Sequence, residues 1–366
     1  MRAFYTVFFC ALLLACGDSK KEDKQLYLPA SNGNLNTISV VVDNILWEDK
    51  VGESIRHIFA APLNGLPTEE PMFNMKQIPT QVFDGFAARS RIVLKIEKGD
   101  VEATTKIVNN AYAKSQTVAV VAGKTDNDII AQLQENKAKI IDAFNKEEVK
   151  EKLRRINLSL LEDKDMENKF GITIDMPSAY KIGKADDDFF WIRKSLSNTK
   201  TIDLMVYEVP METISKGDST IIDIIKMRDN ITKTKIPGED GIYMAVEDAY
   251  APSMFKTIID NKPAYEIRGM WEMKGFTMAG PFITYAIEDK INNRYLIADG
   301  YVYAPSLEKR DYIFELESII KSITISFILY LVKISLLKFL LVELFLSSFN
   351  NKYICFIRTK TANLIE

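Results

Sequence analysis

Few side chains in this 366-residue chain combine the types and the spacing that chemistry would need. Asp186, Asp187 and Asp188 form a run of three carboxylates, and calcium prefers several carboxylate oxygens as ligands. Three consecutive acids point in different directions, however. We therefore interpret the run as an acidic turn before a strand rather than as a metal site.

A second acidic pattern resembles the start of an EF-hand loop. Asp163, Asp165 and Glu167 have the required spacing, but Asn168 replaces the glycine at the sixth position and Ile174 occupies the twelfth. The only histidine of the chain is His57, so no histidine pair exists for a zinc site. Because apolar residues flank His57 at helical spacing, we expect a packed or surface residue, and we predict no metal and no cofactor.

Catalytic motifs are missing as well. The sequence contains no G-x-S-x-G, no G-x-x-x-x-G-K-[ST] and no G-x-G-x-x-G after a strand. Carboxylates are plentiful, but their pairing as general acid and base cannot be assigned without geometry. We predict a non-enzymatic protein with no catalytic residue. The alternative is a hydrolase or glycan-acting enzyme, which two close carboxylates in a deep cleft, one with a raised pKa, would favour.

The three cysteines are Cys10, Cys16 and Cys355, and Cys16 ends a short apolar run over residues 4–15 that follows Arg2. This run is too short to span a bilayer. Leu13, Leu14, Ala15 and Cys16 resemble the lipobox of bacterial lipoproteins, in which the cysteine thiol receives a diacylglycerol and the signal is removed. The resemblance implies an anchor on Cys16; the alternative is a plain secretory signal with an incidental cysteine.

The segment after Cys16 indicates where the protein would reside. Gly17 follows the cysteine, and the charged residues 20–23 are similar to surface-export signals of some Bacteroidota lipoproteins. We predict a lipid-anchored protein of the cell envelope, in the outer membrane, in the periplasmic or the surface-facing leaflet. Besides the membrane, its partner would be an unknown envelope protein or glycan. Residues 16–325 contain 41 Lys and Arg and 48 Asp and Glu residues. This net charge of −7 argues against nucleic acid, whose binding requires neutralisation of phosphates.

The body that would position any site divides into two domains. Residues 37–166 follow a tether over residues 16–36, and β-branched runs at 38–42, 92–96 and 117–121 predict buried strands. Apolar residues at helical spacing predict a short helix between Trp47 and Phe59 and a long helix over residues 126–145, capped by Asp126 or Asp128. A further helix is predicted from Glu147 to about Leu161. The first domain is therefore a small α/β layer.

Residues 167–325 show the pattern of an antiparallel α/β sandwich. We predict strands over residues 170–177, 189–192, 202–207, 265–274, 283–287 and 295–303, a helix over 221–227, and a closing helix after Pro305. Between Tyr265 and Lys274, apolar and charged residues alternate, which predicts a sheet with one wet face. The aromatic residues Trp191, Trp271, Tyr295, Tyr301 and Tyr303 either line a sugar or peptide groove or, as strand spacing favours, form core. The fold class is α+β.

The order of elements in the second domain is similar to the PsbP/Mog1-like group, in which the fold serves docking or binding. Over the whole chain, residues 28–33, 109–116, 175–177 and 300–311 resemble the domain-of-unknown-function 4837 family of Bacteroidota lipoproteins. This resemblance implies an envelope lipoprotein and supplies no catalytic residue.

Residues 326–366 differ in composition from the rest, with no Gly, Pro or Asp. Residues 327–346 are nearly all apolar but include Lys333, Lys338 and Glu343, and the cost of three mid-helix charges roughly cancels the gain from the apolar side chains. We predict a hydrophobic helix-like tail that arises from a frameshift or read-through. The rival is a genuine helix that makes the protein a membrane-spanning scaffold.

Overall fold

A computed structural model of the protein describes residues 27–326. The predicted signal and lipobox, with Leu13, Leu14, Ala15 and Cys16, lie outside these residues, and so does the predicted tail beyond Ser326. Within residues 27–326, none of the helices combines the length and the hydrophobicity that a membrane crossing requires.

The first domain is built on a five-stranded sheet in the order β2-β1-β3-β5-β4. Its strands are β1 (Thr37–Val41), β2 (Asn74–Ile78), β3 (Ile92–Lys98), β4 (Thr104–Asn109) and β5 (Thr117–Gly123). Four strands are parallel, and β4 runs antiparallel to β5 at the edge. The β-branched runs of β1, β3 and β5 are buried, as expected for a parallel sheet covered on both faces.

The helices of the first domain are α1 (Asn44–Glu48), α2 (Lys50–Phe59) and α3 (Asp126–Ile156). The predicted break near residue 146 is wrong, because α3 is one helix of 31 residues. Lys146 and Glu147 are both good helix formers, so nothing at this point interrupts the backbone hydrogen bonds. The predicted cap is also corrected: Thr125 caps the helix in a reciprocal capping box with Asp128.

The second domain is built on an antiparallel sheet of eight strands. Seven of them lie in the order β10-β12-β13-β14-β9-β8-β7, and β11 pairs with β12 on the same side as β10. The strands are β7 (Lys181–Ala185), β8 (Phe189–Ser197), β9 (Lys200–Pro210), β10 (Tyr243–Val246), β11 (Ser253–Ile259), β12 (Lys262–Lys274), β13 (Ala279–Asp289) and β14 (Arg294–Tyr303). The helices are α4 (Asp165–Phe170), α5 (Thr220–Lys235) and α6 (Arg310–Lys321).

The strand predicted over residues 170–177 is largely wrong. Phe170 ends α4, and Gly171 follows with φ 66°, the left-handed conformation that terminates many helices. Only Ile172–Thr173 forms a strand, β6, which pairs with β15 (Thr324–Ile325).

Helices pack on both faces of the large sheet, so the predicted wet face is wrong at Glu266 and Arg268. Ile267 and Trp271 of β12 face α5 in one apolar cluster. On the opposite face, Glu266 and Arg268 are 9% and 7% exposed and lie against α6. Glu266 and Arg268 are therefore buried, whereas Glu272 and Lys274 further along β12 are partly exposed. The contacts of Glu266 and Arg268 define the candidate site.

Candidate ligand-binding cleft

A cleft of about 410 Å³ lies between the two domains. The first domain contributes the loop around Leu63 and Asn64, together with Asn145 of α3. The second domain contributes β11, the charged face of β12, and α6 with Phe314. The lining thus combines apolar, amide and charged groups, which is the mixture typical of ligand-binding clefts.

Arg268 is the centre of the charged wall of this cleft. Its Nε donates to Glu266 at 2.6 Å, and its Nη2 donates to Glu317 of α6 at 2.8 Å. The hydroxyl of Tyr285 also donates to Glu266, at 2.8 Å. Burial would raise the pKa of Glu317, but its attraction to Arg268 and Lys321 outweighs burial and lowers the pKa to about 2.

One donor of this buried guanidinium has no partner in the part of the chain that the structure describes. Nη1 of Arg268 is buried and makes no hydrogen bond to any residue from 27 to 326. A buried donor without an acceptor costs roughly 1–3 kcal/mol, so this guanidinium is held at some cost to stability. Glu266 and Glu317 both accept hydrogen bonds from this arginine, and the pKa of Glu317 is lowered rather than raised, unlike the acid that the enzyme alternative requires.

The start of α6 is held by the first domain. The carboxylate of Glu70 accepts hydrogen bonds from the backbone N–H of Lys309, at 2.9 Å, and from that of Arg310, at 2.7 Å. Glu70 therefore caps a helix of the other domain, and its negative charge lies at the positive end of the helix dipole. Arg310 in turn donates to the carbonyl oxygen of Pro71 at 3.1 Å.

The middle of α6 is held in the same way. Glu315 accepts from Lys152 of α3 and from Lys194 of β8, both at 2.6 Å, and from the Tyr180 hydroxyl at 2.9 Å. Burial opposes the charge on Glu315, but the two lysines outweigh it and lower its pKa. These contacts fix α6, and with it one wall of the cleft, to both domains.

The loop of the first domain approaches β12 closely at Gly65. A Cβ atom there would lie 3.0 Å from Arg268 Cβ and 3.0 Å from Gly269 N, and φ is +84°. Glycine has no Cβ atom and adopts a positive φ readily, so it allows this close approach without strain.

A second buried charge cluster lies outside the cleft, between the sheet and α5. Arg228 and Asp299 form an ion pair at 2.8 Å, and their side chains are 1% and 0% exposed. Burial raises the pKa of Asp299 to about 6, although Arg228 opposes the shift. This pair has the raised pKa that the enzyme alternative asks for, but it is enclosed rather than placed in the cleft.

The sequence-predicted candidates are dispersed over the surface. His57 is exposed on α2. Asp186, Asp187 and Asp188 form the turn between β7 and β8, and Lys235 lies 2.6 Å from Asp188. The interpretation of this run as an acidic turn is confirmed. Within the described part of the chain, no three His, Cys, Asp or Glu side chains are grouped as metal ligands.

The aromatic candidates belong mainly to the core. Trp271, Tyr295 and Tyr301 are at most 4% exposed, which confirms the core interpretation for them. Trp191 and Tyr303 are partly buried against the same cluster.

Sequence reasoning missed the residues that shape the cleft, because glutamate and arginine on a strand usually face water. A usable signal was present in α6. Glu317 lies four residues after Ile313 and three before Ile320, so it shares their sheet-facing side. An acid at such a position requires a cationic partner on the sheet.

The comparisons with known proteins address the two domains separately. Residues 159–322 match the DUF4837 family. Residues 31–157 match a different one, DUF8532, and both are described as domains of unknown function. The predicted resemblance to DUF4837 is therefore confirmed for the second domain, whereas residues 31–157 match another family. No curated protein matches the chain.

Solved structures resemble this chain weakly. Cyanobacterial PsbP (CyanoP) from Synechocystis sp. PCC 6803 is 12% identical with a TM-score of 0.31, and the alignment covers 46% of this chain and 93% of that one. The Ran-binding protein Mog1p of Saccharomyces cerevisiae is 10% identical with a TM-score of 0.30, covering 42% and 89%. LpqN of Mycobacterium tuberculosis, described as involved in cell envelope biogenesis, is 11% identical with a TM-score of 0.25, covering 42% and 82%.

Proposed function

We propose that this protein is a non-enzymatic binding module of the cell envelope, anchored through an acylated Cys16, that holds a partner in the cleft between its two domains. The observation that carries the binding role is the cleft itself, whose wall combines apolar side chains, amides and the guanidinium of Arg268. The anchor rests on the sequence Leu13-Leu14-Ala15-Cys16 and the charged segment that follows it.

The cleft is suited to binding because its walls are fixed before a ligand arrives. Glu70 and Lys152 of the first domain hold α6, which carries Glu317 and Phe314 into the cleft. Preorganised walls reduce the entropy lost on association. The bound group would contact amides, apolar side chains and Arg268 together, which suits a protein segment or a glycan of the envelope.

The anchor is tested with Cys16→Ser in intact cells supplied with a labelled fatty acid. We expect the parent protein to carry the label and to sediment with membranes, and the variant to lose both. Unchanged labelling and sedimentation of the variant would overturn the anchor.

The cleft is tested by placing a photo-crosslinking amino acid at Asn145, which lines it, and, as a matched control, at the exposed Asp218. We expect a discrete adduct from position 145 in intact cells and none from position 218. The binding role is contradicted if position 145 yields no adduct, or the same adducts as position 218.

A further inference from the structure

The strand β11 presents a free edge beside the cleft. It pairs with β12 on one side, and none of the residues from 27 to 326 pairs with its other side. Phe255 and Ile258 of this strand are 43% and 71% exposed. A long, exposed, apolar edge is the feature that natural sheets usually avoid, because it is a template for another strand.

The register shows which backbone groups are free. β11 and β12 are joined by the two-residue turn Asp260–Asn261, whose φ values are 47° and 57°. In such a hairpin the residues that flank the turn form a hydrogen-bonded pair, and every second pair repeats it. Phe255 and Thr257 therefore bond to β12, and the N–H and C=O groups between and beside them point away from the sheet.

The outward groups belong to Met254, Lys256 and Ile258. Pro263 lies opposite Ile258. Proline has no N–H to donate. A non-hydrogen-bonded pair of Ile258 and Pro263 is therefore consistent with the outward direction of the Ile258 backbone groups. An added strand pairs with backbone N–H and C=O groups on every second residue, and these three residues supply such groups.

The two faces of an added strand would meet different surroundings. Phe255 lies opposite Glu266 and shares the face of the cleft, so alternate side chains of the added strand would enter the cleft near Arg268. Lys256 lies opposite Tyr265, on the other face. Lys256 is exposed and forms no ion pair with residues 27–326. A lysine in the middle of an edge discourages most strands, but it favours one that carries an acidic side chain opposite it.

We propose that the cleft takes an extended, acidic segment of a partner protein, which adds to β11 as a strand and places alternate side chains between the two domains. The inference rests on the proposed binding role and names the partner as a peptide segment rather than a glycan. Backbone bonds to β11 supply affinity, and Lys256 selects acidic side chains on the face that points away from the cleft.

The probe is a pool of capped octapeptides in which Glu alternates with Val or Thr, compared with a pool in which Lys replaces Glu. Binding is measured on the full chain in detergent. We expect the acidic pool to bind and the basic pool to bind at least tenfold more weakly. Lys256→Glu should reverse this preference. The control is Lys106→Glu, which changes an exposed lysine on β4, the edge strand of the other sheet, and should leave the preference intact.

Backbone pairing is tested by two independent changes. Lys256→Pro removes an outward N–H without touching the bonds to β12, so it should abolish binding while the far-UV circular dichroism stays that of the parent. Acidic peptides N-methylated on every residue should also fail to bind, and this measurement does not depend on the folding of any variant.

Amide hydrogen exchange gives the sharpest signature. In the free protein the amides of Met254, Lys256 and Ile258 should exchange faster than those of Phe255 and Thr257, and the acidic peptide should slow the first three. Failure of both pools to bind, binding indifferent to Lys256, or protection confined to other strands would overturn the proposal. Protection of β11 without peptide, caused by a second copy or by residues after 326, would overturn it as well.

These outcomes remain distinguishable from a failure of the proposed function. If the crosslinker at Asn145 captures a partner while no peptide protects β11, the cleft binds something other than an added strand. If neither position 145 nor the peptides give a signal, the binding role itself fails.

Discussion

Two buried arginines in the second domain show opposite electrostatics on the two faces of one sheet. Arg228 faces a single carboxylate, Asp299, beneath α5, and the pKa of Asp299 is raised to about 6 by burial. Arg268 faces two carboxylates beside α6, and the pKa of Glu317 is lowered to about 2.

The difference lies in the balance between desolvation and attraction. Asp299 has one cation and is fully enclosed, so the cost of removing its charge from water exceeds the attraction of Arg228. Glu317 is attracted by two cations, Arg268 and Lys321. The pair of Arg228 and Asp299 therefore tolerates protonation of Asp299, whereas the cluster around Arg268 depends on the negative charge of Glu317.

The largest expected effect is the loss of Arg268. Arg268→Met leaves Glu266 and Glu317 buried with one fewer cation, and we expect the free energy of unfolding in urea to fall by about 3–5 kcal/mol. Arg228→Met should cost less, because Asp299 can take up a proton, and its cost should shrink between pH 8 and pH 5. An equal or greater loss from Arg228→Met would reverse the comparison.

We expect low pH to destabilise the protein because the carboxylate of Glu317 becomes protonated. Its pKa is lowered on folding from 4.5 to about 2, so its contribution is complete above pH 4.5 and disappears as the pH falls towards 2. The difference corresponds to about 3 kcal/mol. The measurement is the urea midpoint as a function of pH. Glu317→Gln should flatten this acid limb, and an unchanged limb in the variant would contradict the prediction.

We expect Asp299 to change the stability with pH in the opposite direction from Glu317. Its pKa rises on folding from 3.8 to about 6, so its contribution is present below pH 3.8 and disappears as the pH rises through 6. We expect a loss of about 2–3 kcal/mol across this range. Asp299→Asn should remove the slope between pH 4 and pH 6, measured in the same urea titration. A slope that persists in Asp299→Asn would show that another group titrates there.

A smaller effect is expected at the contact between the domains. Glu70→Ala leaves the backbone N–H groups of Lys309 and Arg310 without their acceptor, which should cost about 2 kcal/mol. Amide exchange at the start of α6 should become faster than in the parent. Glu69→Ala, which changes the neighbouring exposed acid, is the matched control and should leave that exchange unchanged.

The smallest effect is expected for an ion pair that is exposed to solvent. Asp187 is fully exposed and lies 3.4 Å from Lys169. Because exposed ion pairs contribute little, Asp187→Asn should leave the urea midpoint unchanged within error. A clear loss would mean that the acidic turn has a role beyond solvation.

The sequence predicted the elements whose apolar residues recur with a clear period. β1, β3 and β5 are β-branched runs, and α6 has a regular apolar stripe, so local pattern was sufficient. Strands β2 and β4 were not predicted, because they are polar edge strands that owe their conformation to a neighbour.

The cleft could not be predicted for a similar reason. Whether Glu266 and Arg268 face water or a helix depends on where α6 packs. The position of α6 is set by contacts between residues that are far apart in the sequence, such as Arg268 and Glu317. The first domain's share of the cleft depends on Glu70, a loop residue whose partner lies 239 residues further along the chain.

Glu70 also bears on how the two family domains can be separated. Cutting the chain between residues 157 and 159 would divide it at the boundary of the two matches, yet the carboxylate that starts the closing helix would remain with the other fragment. In the fragment that begins at residue 159, the N–H groups of Lys309 and Arg310 would therefore need a replacement acceptor, such as an acid introduced at the first turn of that helix.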